Sequence, residues 1–346
     1  MPSEKATPLL EVQGLVKHFH IAAGAGRAAG TLRAVDGVSL TLAPGETLGV
    51  VGESGCGKST LARLMVGLLE PNAGTIRIKG GDIWEAGAAG RERRRHFQMV
   101  FQNPASSMSP RRTVGASVAE PLRARGIRNT DDEVARMLAL VGLNAKMAGR
   151  MPHQMSGGQQ QRASIARALI ANPSLVVHDE AVASLDVSLQ AQILNLLVEL
   201  QERLGTSYVF ISHDLAAVQA ISHRVAVMYL GEIVETATAR AFAKQPLHPY
   251  AIALRNATLL PDPAIERNRP DLVLRGDVPS PMNPPSGCRF RTRCPLAHAL
   301  CAVETPALLD VGGGHLVACH FRDAPERLAH RSSRTPLPLA KAEVLK

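Results

Sequence analysis

The chain has 346 residues, 45% hydrophobic and 20% charged, which is enough for one large globular domain and a smaller one. No apolar run approaches the ~18–20 residues of a membrane span, and the N-terminal Met-Pro-Ser-Glu-Lys does not resemble a signal peptide. We therefore expect a cytoplasmic protein that needs a partner for any membrane part. The net charge of +9 would suit acidic lipid or nucleic acid, but 3% aromatic residues are too few for base stacking and argue against nucleic acid.

The first part of the chain predicts two strands separated by a flexible loop. Residues 9–16 begin the first strand, and Phe19 and His20 follow it. Residues 34–42 alternate between apolar and polar side chains, as a second strand would. The Gly/Ala-rich residues 22–30 between them predict the loop.

A glycine-rich loop follows at residues 52–60, and its sequence Gly-Glu-Ser-Gly-Cys-Gly-Lys-Ser-Thr fits G-x-x-x-x-G-K-[ST]. A short buried strand is predicted before it, at 46–51, and a helix after it, at 60–69. Backbone amides of such a loop and the helix N-terminus can surround phosphate oxygens. Lys58 would reach the β- and γ-phosphates, and the Ser59 hydroxyl would bind Mg²⁺. The flanks favour a nucleotide site over a chance glycine-rich turn.

The middle of the chain predicts further strands and a helical segment. Residues 75–80 alternate as a strand does, and an apolar strand at 99–102 ends at Gln102. Residues ~113–172 are predicted to be helical, with individual helices over 131–141 and 157–171.

A second helix start that could bind an anion is predicted at Ser156. Ser156 and Gln159, three residues later, form a capping box. Gly157 and Gly158 lie between them and would expose backbone amides. A capping motif alone would explain Ser156 and Gln159 but not the paired glycines.

Two carboxylates end the apolar strand predicted over residues 175–180. Asp179 stands at the C-terminal end of that strand, where ligands of such sheets bind, and would hold Mg²⁺. Glu180 directly after it could polarise an attacking water. His178 in the same strand is interpreted as a core histidine with satisfied hydrogen bonds.

Later elements complete the predicted fold class. A helix is predicted over 189–204, followed by a strand over 207–214 that carries His213 near its end. Strands that alternate with helices predict an α/β protein with a parallel sheet. The segment 113–172 is then an all-helical insertion into this sheet.

After about residue 245 the chain becomes rich in Pro, Arg and Cys, and we place a domain boundary there. Residues 326–346 are predicted to be a disordered tail. Four cysteines are spaced C-x5-C-x6-C-x17-C, namely Cys288, Cys294, Cys301 and Cys319. Disulfides are not expected in the cytosol, whereas four thiolates suit zinc or an iron–sulfur cluster. Unligated cysteines are the third alternative, and Cys56 is expected to face phosphate and stay apart from the four.

In order and type, these motifs resemble the ATP-binding cassette family: the loop at 52–60, Gln102, residues 156–159, residues 176–180 and His213. The resemblance implies a RecA-like parallel sheet core, an antiparallel β subdomain and a helical subdomain at about 113–172. Two cassettes would enclose two ATP molecules. Each ATP would lie between the phosphate loop of one chain and the helix start at 156–159 of the other.

The same resemblance implies roles for individual residues. The catalytic residues would be Glu180 as general base, His213 on the γ-phosphate, Lys58, and Gln102 as a sensor of Mg²⁺ and of the permease. Mg²⁺ would be held by Ser59, Gln102 and Asp179. Phe19 stands where the family stacks an aromatic ring on adenine, with His20 as the alternative. The remaining nucleotide contacts would be Gly52, Glu53, Ser54, Gly55, Cys56, Gly57, Thr60 and Asp186, and, across the dimer, Ser156, Gly157, Gly158 and Gln159.

Two departures from the family pattern are visible. Met155 stands where a leucine is usual, and Ala181-Val182 stands where Pro-Thr is common. The latter resembles one branch of peptide importers. Every catalytic position is present, so we expect an active ATPase that hydrolyses ATP to ADP and phosphate.

The C-terminal part resembles that of oligopeptide/dipeptide importer ATPases, through residues 246–250, 276–281 and 283–290. The implied organisation is a nucleotide-binding domain at 1–245 and a C-terminal extension at 246–325, with a possible [4Fe–4S] cluster on its four cysteines. The N-terminal insertion and residues 179–182 resemble the second ATPase of such systems, which pairs with a different ATPase subunit.

The expected partners are therefore a second cassette, two transmembrane permease subunits and, indirectly, an extracytoplasmic peptide-binding protein. The chain would lie at the cytoplasmic side of the inner membrane. An importer ATPase for nickel or another small solute is one alternative. A non-transport regulator that binds nucleic acid is the other, and salt-dependent DNA binding without permease association would favour it.

Overall fold

Two β-sheets carry the structure, a computed structural model that describes residues 7–24, 29–183, 185–257, 274 and 276–322. The smaller sheet is antiparallel, with strand order β2-β1-β4-β5. Its members are β1 (Leu10–Ile21), β2 (Gly30–Leu42), β4 (Ala73–Ile78) and β5 (Gly81–Asp82). The central strand β1 carries both Phe19 and His20, so the strand predicted over 9–16 runs five residues further.

The larger sheet has eight strands in the order β11-β12-β10-β9-β3-β8-β7-β6. Five neighbouring strands are parallel: β9 (Arg224–Tyr229), β3 (Thr47–Val51), β8 (Ser207–Ile211), β7 (Leu175–Asp179) and β6 (Phe97–Val100). Strand β10 (Glu232–Thr238) and the hairpin of β11 (Leu309–Asp310) and β12 (Leu316–Val317) continue the sheet antiparallel. Because parallel strands point one way, the carboxyl ends of β3, β6, β7 and β8 meet at one edge, where ligands bind in such sheets.

Helices cover the sheets and form the segment between β6 and β7. They are α1 (Lys58–Met65), α2 (Ala88–Arg94), α3 (Pro104–Ser107), α4 (Val114–Val118), α5 (Glu120–Ala124), α6 (Asp131–Leu140), α7 (Gly157–Leu169), α8 (Val187–Leu204), α9 (Leu215–Ile221), α10 (Ala239–Lys244), α11 (Pro249–Ala257) and α12 (Ala299–Val303). Two 3₁₀ turns, Ala145–Gly149 and Pro152–Gln154, lie before α7. No helix in the described ranges is both long and apolar enough to cross a membrane.

The core is divided by the large sheet, because neighbouring strand residues point to opposite faces. Tyr208 and Phe210 of β8 pack in the cluster that includes the helical segment, whereas Val209 and Ile211 pack in the cluster that includes the small sheet. All five residues of β3, β7 and β8 are buried. This explains their near-continuous apolar sequences, which are typical of strands covered on both faces.

The α/β class and the cassette architecture predicted from the sequence are confirmed by the sheets, while some boundaries differ. The strand predicted to reach Gln102 ends at Val100, which leaves Gln102 in the connection after β6. The division at about residue 245 stays a prediction. Strand β12 of the C-terminal extension pairs with β10, which precedes this boundary. The predicted tail at 326–346 and part of the loop at 22–30 lie outside the described residues.

Candidate functional site

The glycine-rich loop joins β3 to α1 in the arrangement that phosphate binding requires. Gly57 caps α1 with a φ of 110°, and Gly55 has a φ of 79°, both in the left-handed region that favours glycine. A Cβ at Gly52 would lie 2.2 Å from the Met228 carbonyl oxygen, and one at Gly57 would lie 2.0 Å from that of Ala34. The loop therefore cannot accept side chains at these positions, and its backbone amides and the N-terminus of α1 form an anion cradle.

Lys58 is held inside this loop. Its side chain is 5% exposed, and its ammonium donates to the carbonyl oxygens of Gly52 at 2.7 Å and Glu53 at 3.0 Å. The ammonium also lies 3.8 Å from Cys56 Sγ, and a buried ammonium without an ion-pair partner among the described residues is suited to an arriving phosphate. The side chain of Cys56, which was expected to face phosphate, is buried in the core cluster with its Sγ 3.8 Å from the Lys58 ammonium, and burial raises the pKa of its thiol.

Ser59 and Asp179 form a pair suited to Mg²⁺. The Ser59 hydroxyl donates to Asp179 Oδ1 at 3.0 Å, joining the first turn of α1 to the end of β7. Burial raises the pKa of Asp179, because the carboxylate is removed from water. A hydroxyl and a carboxylate are oxygen ligands of the kind that Mg²⁺ takes beside nucleotide phosphates. The donor set and the cradle therefore fit a magnesium nucleotide.

Three strand ends meet at Glu180. Its Oε2 accepts a hydrogen bond from the Gln102 amide at 2.9 Å, and its Oε1 lies 3.5 Å from His213 Nδ1. Glu180 has a φ of 50°, a left-handed conformation that is uncommon for a residue with a side chain and is found at functional sites. The Ile211 carbonyl fixes it by accepting from the Glu180 amide at 2.9 Å. The carboxylate, 18% exposed, thus stands oriented beside the magnesium pair.

His178 is buried, as predicted, but it is not satisfied. Neither ring nitrogen has a hydrogen-bond partner among the described residues. The ring packs edge-on against Tyr208, with centroids 4.9 Å apart. Burial lowers the pKa of His178 to about 3, so the ring is neutral. The expectation of a satisfied histidine was wrong because an apolar pattern predicts burial and not hydrogen-bond partners.

The helix start at residue 156 has the predicted capping box. Gln159 N–H donates to Ser156 Oγ at 3.4 Å, and Ser156 N–H donates to Gln159 Oε1 at 3.1 Å. Gly158 packs against Leu189 of α8, so a Cβ there would be crowded at 3.2 Å. Among the described residues, no hydrogen bond or ion pair joins 156–159 to the phosphate loop of the same chain.

Other predicted contacts are also separate from the loop. Asp186 caps α8 by accepting from Leu189 N–H at 2.9 Å, and Ser184 beside it lies outside the described residues. Phe19 lies on β1 opposite Leu32, with the Lys17 ammonium 5.5 Å from its ring centre. The structure therefore gathers Lys58, Ser59, Asp179, Glu180, Gln102 and His213 into one site.

Comparison with known proteins agrees with this geometry. The "ABC transporter" family model matches residues 35–183, and the "Oligopeptide/dipeptide transporter, C-terminal region" model matches residues 234–301. A probable peptide ABC transporter ATP-binding protein, y4tS, of Sinorhizobium fredii is 50% identical over 96% of this chain and 95% of its own. The chain belongs to the ABC transporter family. It is thus an ATP-binding, ATP-hydrolysing cassette subunit.

Further relatives support the same assignment. The oligopeptide transport ATP-binding protein OppF of Salmonella typhimurium is 49% identical over 91% of this chain and 97% of its own. Among solved structures, the ATP-binding cassette MJ0796 bound to ADP and phosphate is similar, with a TM-score of 0.58 and 26% identity over 67% of this chain and 99% of that one. The neighbour confirms the cassette fold.

The cassette's four C-terminal cysteines lie close to one another. Cys288 N–H donates to the Cys301 carbonyl at 2.9 Å. Burial, together with a smaller effect of the other thiols of the group, including Cys319, raises the pKa of Cys288 to about 11 and that of Cys294 to about 12. In the part of the chain that is described, no group of three or more His, Cys, Asp or Glu side chains is arranged to hold a single metal ion.

Two residues that contact the phosphate loop were missed by the sequence reasoning. Arg293 binds the Glu53 carboxylate through two nitrogens, and the Tyr250 hydroxyl accepts from Glu53 N–H at 2.7 Å. They lie 240 and 197 residues from Glu53 along the chain. An arginine beside a cysteine and a tyrosine in a helix carry no local pattern that would have found them.

Proposed function

We propose that this cassette hydrolyses ATP to drive import of oligopeptides or dipeptides across the cytoplasmic membrane. The convergence of Glu180, Gln102 and His213 beside the Ser59–Asp179 pair carries the proposal. The peptide assignment is supported by the matched C-terminal region and by the relatives, which are named as peptide or oligopeptide transport proteins. Nickel or another small solute would be the alternative cargo.

In the proposed reaction, the phosphate loop amides and Lys58 bind the phosphates and offset their charge. Ser59 and Asp179 would hold Mg²⁺, which supplies charge neutralisation at the phosphates when bound. Glu180 would accept a proton from the attacking water, with its carboxylate oriented by Gln102 and His213.

Because no hydrogen bond or ion pair among the described residues joins residues 156–159 to the phosphate loop of the same chain, we propose a site completed by a second cassette. Ser156, Gly157, Gly158 and Gln159 would reach the ATP of the opposing subunit, and Asp186 would lie at the junction. We propose that the opposing subunit is a different ATPase, and that both dock on two membrane permease subunits at the cytoplasmic face. The region 102–110 and the helical segment 113–172 would make that contact. Peptide would be delivered by an extracytoplasmic binding protein.

The test is peptide uptake and phosphate release by the complex reconstituted in vesicles. Glu180→Gln should lower ATP turnover and uptake together, roughly a hundredfold to ten-thousandfold, because the general base is lost. Glu199→Gln, an exposed change on α8, is the matched control. Wild-type ATPase activity in Glu180→Gln would overturn the assignment of the base. Uptake of nickel without uptake of peptide would show that the transported solute is nickel and not peptide.

We also propose that the C-terminal cysteines hold a [4Fe–4S] cluster. Four soft sulfur ligands that lie close to one another, two buried and two half-buried, fit an iron–sulfur cluster by their chemistry. Metal binding would require deprotonation of thiols whose pKa is raised by burial. Anaerobic purification followed by iron and sulfide analysis should give both elements in the wild type and neither in Cys294→Ser. Zinc without sulfide would assign a zinc site, and absence of all three would refute the metal site.

A further inference from the structure

One phosphate-loop residue, Glu53, is held by the C-terminal extension. Arg293 Nη1 lies 2.8 Å from Glu53 Oε2, and Nη2 lies 3.1 Å from Oε1. This is the bidentate (two-pronged) geometry, with two parallel hydrogen bonds, in which arginine binds carboxylates most strongly and with a defined orientation. Arg293 is 9% exposed and the Glu53 side chain 27% exposed, so the ion pair is partly shielded from solvent.

Tyr250 holds the backbone of the same residue. Its hydroxyl accepts from Glu53 N–H at 2.7 Å, and its ring is fully buried. Two other aromatic rings fix its place, with centroids 4.7 Å away for Tyr229 and 5.5 Å away for Phe290. Phe290 lies in the extension, three residues before Arg293. The two anchors of Glu53 are therefore part of one packed unit.

The remaining polar group of Glu53 faces the catalytic side of the loop. Its carbonyl oxygen accepts from the Lys58 ammonium at 3.0 Å and from Cys56 N–H at 3.3 Å. A shift of Glu53 would therefore move a carbonyl that positions Lys58. A cavity of ≈240 Å³, lined by loop residues 53–56 and residues 278–281 of the extension, lies beside this contact.

Charge adds a second effect. Glu53 places a carboxylate in a loop that receives a polyanion, and the guanidinium of Arg293 compensates it. Without Arg293, the unpaired carboxylate would repel the nucleotide phosphates. Buried arginine–carboxylate pairs leave a costly charge when one partner is removed.

We propose that Arg293 and Tyr250 are positioning residues through which the C-terminal extension sets the ATP affinity of the phosphate loop in the same chain. This rests on the proposed function of that loop in ATP binding. The extension is then a part of the nucleotide site and acts through Glu53, not through contact with ATP.

The experiment is titration of the full-length chain with MgATP by calorimetry, at low and high salt. Arg293→Ala should raise the Kd about tenfold, equal to about 1.4 kcal/mol. Arg293→Lys should raise it less, because the charge remains and the two-pronged geometry is lost. Arg291→Ala is the matched control, since Arg291 binds Ser286 within the extension and should leave the Kd unchanged.

A double variant separates charge from fold. Arg293→Ala with Glu53→Gln should bind ATP more tightly than Arg293→Ala alone, because no unpaired carboxylate remains. High salt should also reduce the defect of Arg293→Ala. A general loss of structure would produce neither result. Urea unfolding and circular dichroism show whether Arg293→Ala is folded. If it is not, Tyr250→Phe is the second variant, because it removes the hydroxyl and keeps the ring. It should raise the Kd for ATP about threefold.

Two results would overturn the inference. Folded Arg293→Ala with wild-type Kd would show that the loop does not depend on the extension. The Glu53→Gln single variant completes the cycle, and a double variant with a defect equal to the sum of the two single variants would show no coupling between Arg293 and Glu53. A wild-type chain that fails to bind ATP would instead refute the proposed function itself, so the two failures are distinguishable.

Discussion

Replacing His178 by leucine should change how the stability of the cassette depends on pH. His178 is fully buried in β7, both ring nitrogens lack partners among the described residues, and burial lowers its pKa to about 3. His248 is likewise buried, with a pKa lowered to about 3, although its Nδ1 accepts from Tyr250 N–H at 3.1 Å. Both histidines stay neutral in the folded chain and gain a proton on unfolding below their ordinary pKa of 6.5.

The sign follows from the lowered pKa. Unfolding takes up protons below the unfolded pKa, so stability is fully present above about pH 6.5 and falls as the pH decreases. As the pH falls from about 7 to about 5, each histidine should lower the free energy of unfolding by about 2 kcal/mol. This figure depends on the unfolded pKa alone, because the folded pKa lies far below the window. The two histidines together should lower the free energy of unfolding by about 4 kcal/mol, and His178→Leu should remove half of this loss.

Urea unfolding of the full chain at several pH values in this window measures the effect. His178→Leu should be at least as stable as the wild type at neutral pH, because it removes two unsatisfied polar groups from the core. Its stability should also fall less steeply with acidification, and His153→Gln, on an exposed turn, serves as control. Equal pH slopes in the wild type and His178→Leu would refute the assignment of a neutral buried histidine.

Three further substitutions test the site. Asp179→Asn should remove the gain in ATP affinity that Mg²⁺ provides, because an amide is a poorer Mg²⁺ ligand than a carboxylate. Titration with ATP in the presence and absence of EDTA measures this gain. A gain equal to that of the wild type would contradict the role of Asp179. Gln102→Ala should lower kcat about tenfold with unchanged Kd for ATP, since Glu180 loses the amide that orients it; a matching loss of affinity would place Gln102 in ATP binding instead. Ser156→Ala should cost about 1 kcal/mol in urea unfolding through loss of the α7 cap and should also lower turnover of the complex; lost stability with full turnover would restrict Ser156 to capping.

The central site could be predicted because its chemistry follows local patterns. The glycine spacing fixes the loop at 52–60, and the apolar runs before Asp179 and His213 mark buried parallel strands. Carboxyl ends of parallel strands meet, so these residues had to lie near the loop. The position of Glu180 in a left-handed conformation was not predictable, because it arises from the hydrogen bond of its amide to Ile211.

Pairings between distant residues could not be predicted in this way. Glu53 and Arg293 are ordinary surface residue types, and 240 residues separate them. Periodicity likewise indicated that His178 is buried but said nothing about its nitrogens. Burial follows from the average character of a segment, whereas a hydrogen-bond partner depends on one atom of another element. The error at His178 has this cause.

The C-terminal extension, predicted to begin near residue 245, contacts both sheets. Strand β12 pairs with β10 and so covers an edge of the main sheet that would otherwise present unpaired backbone groups. Arg289 binds Asp36 of β2, Glu232 of β10 and the Leu230 carbonyl, which joins the extension to both sheets. A chain that ended at residue 245 would therefore lose sheet pairing, the Arg289 contacts and the support of Glu53 together. It follows that ATP binding by such a fragment could not separate the role of the extension in the site from its role in the fold, whereas single substitutions at Arg293 can.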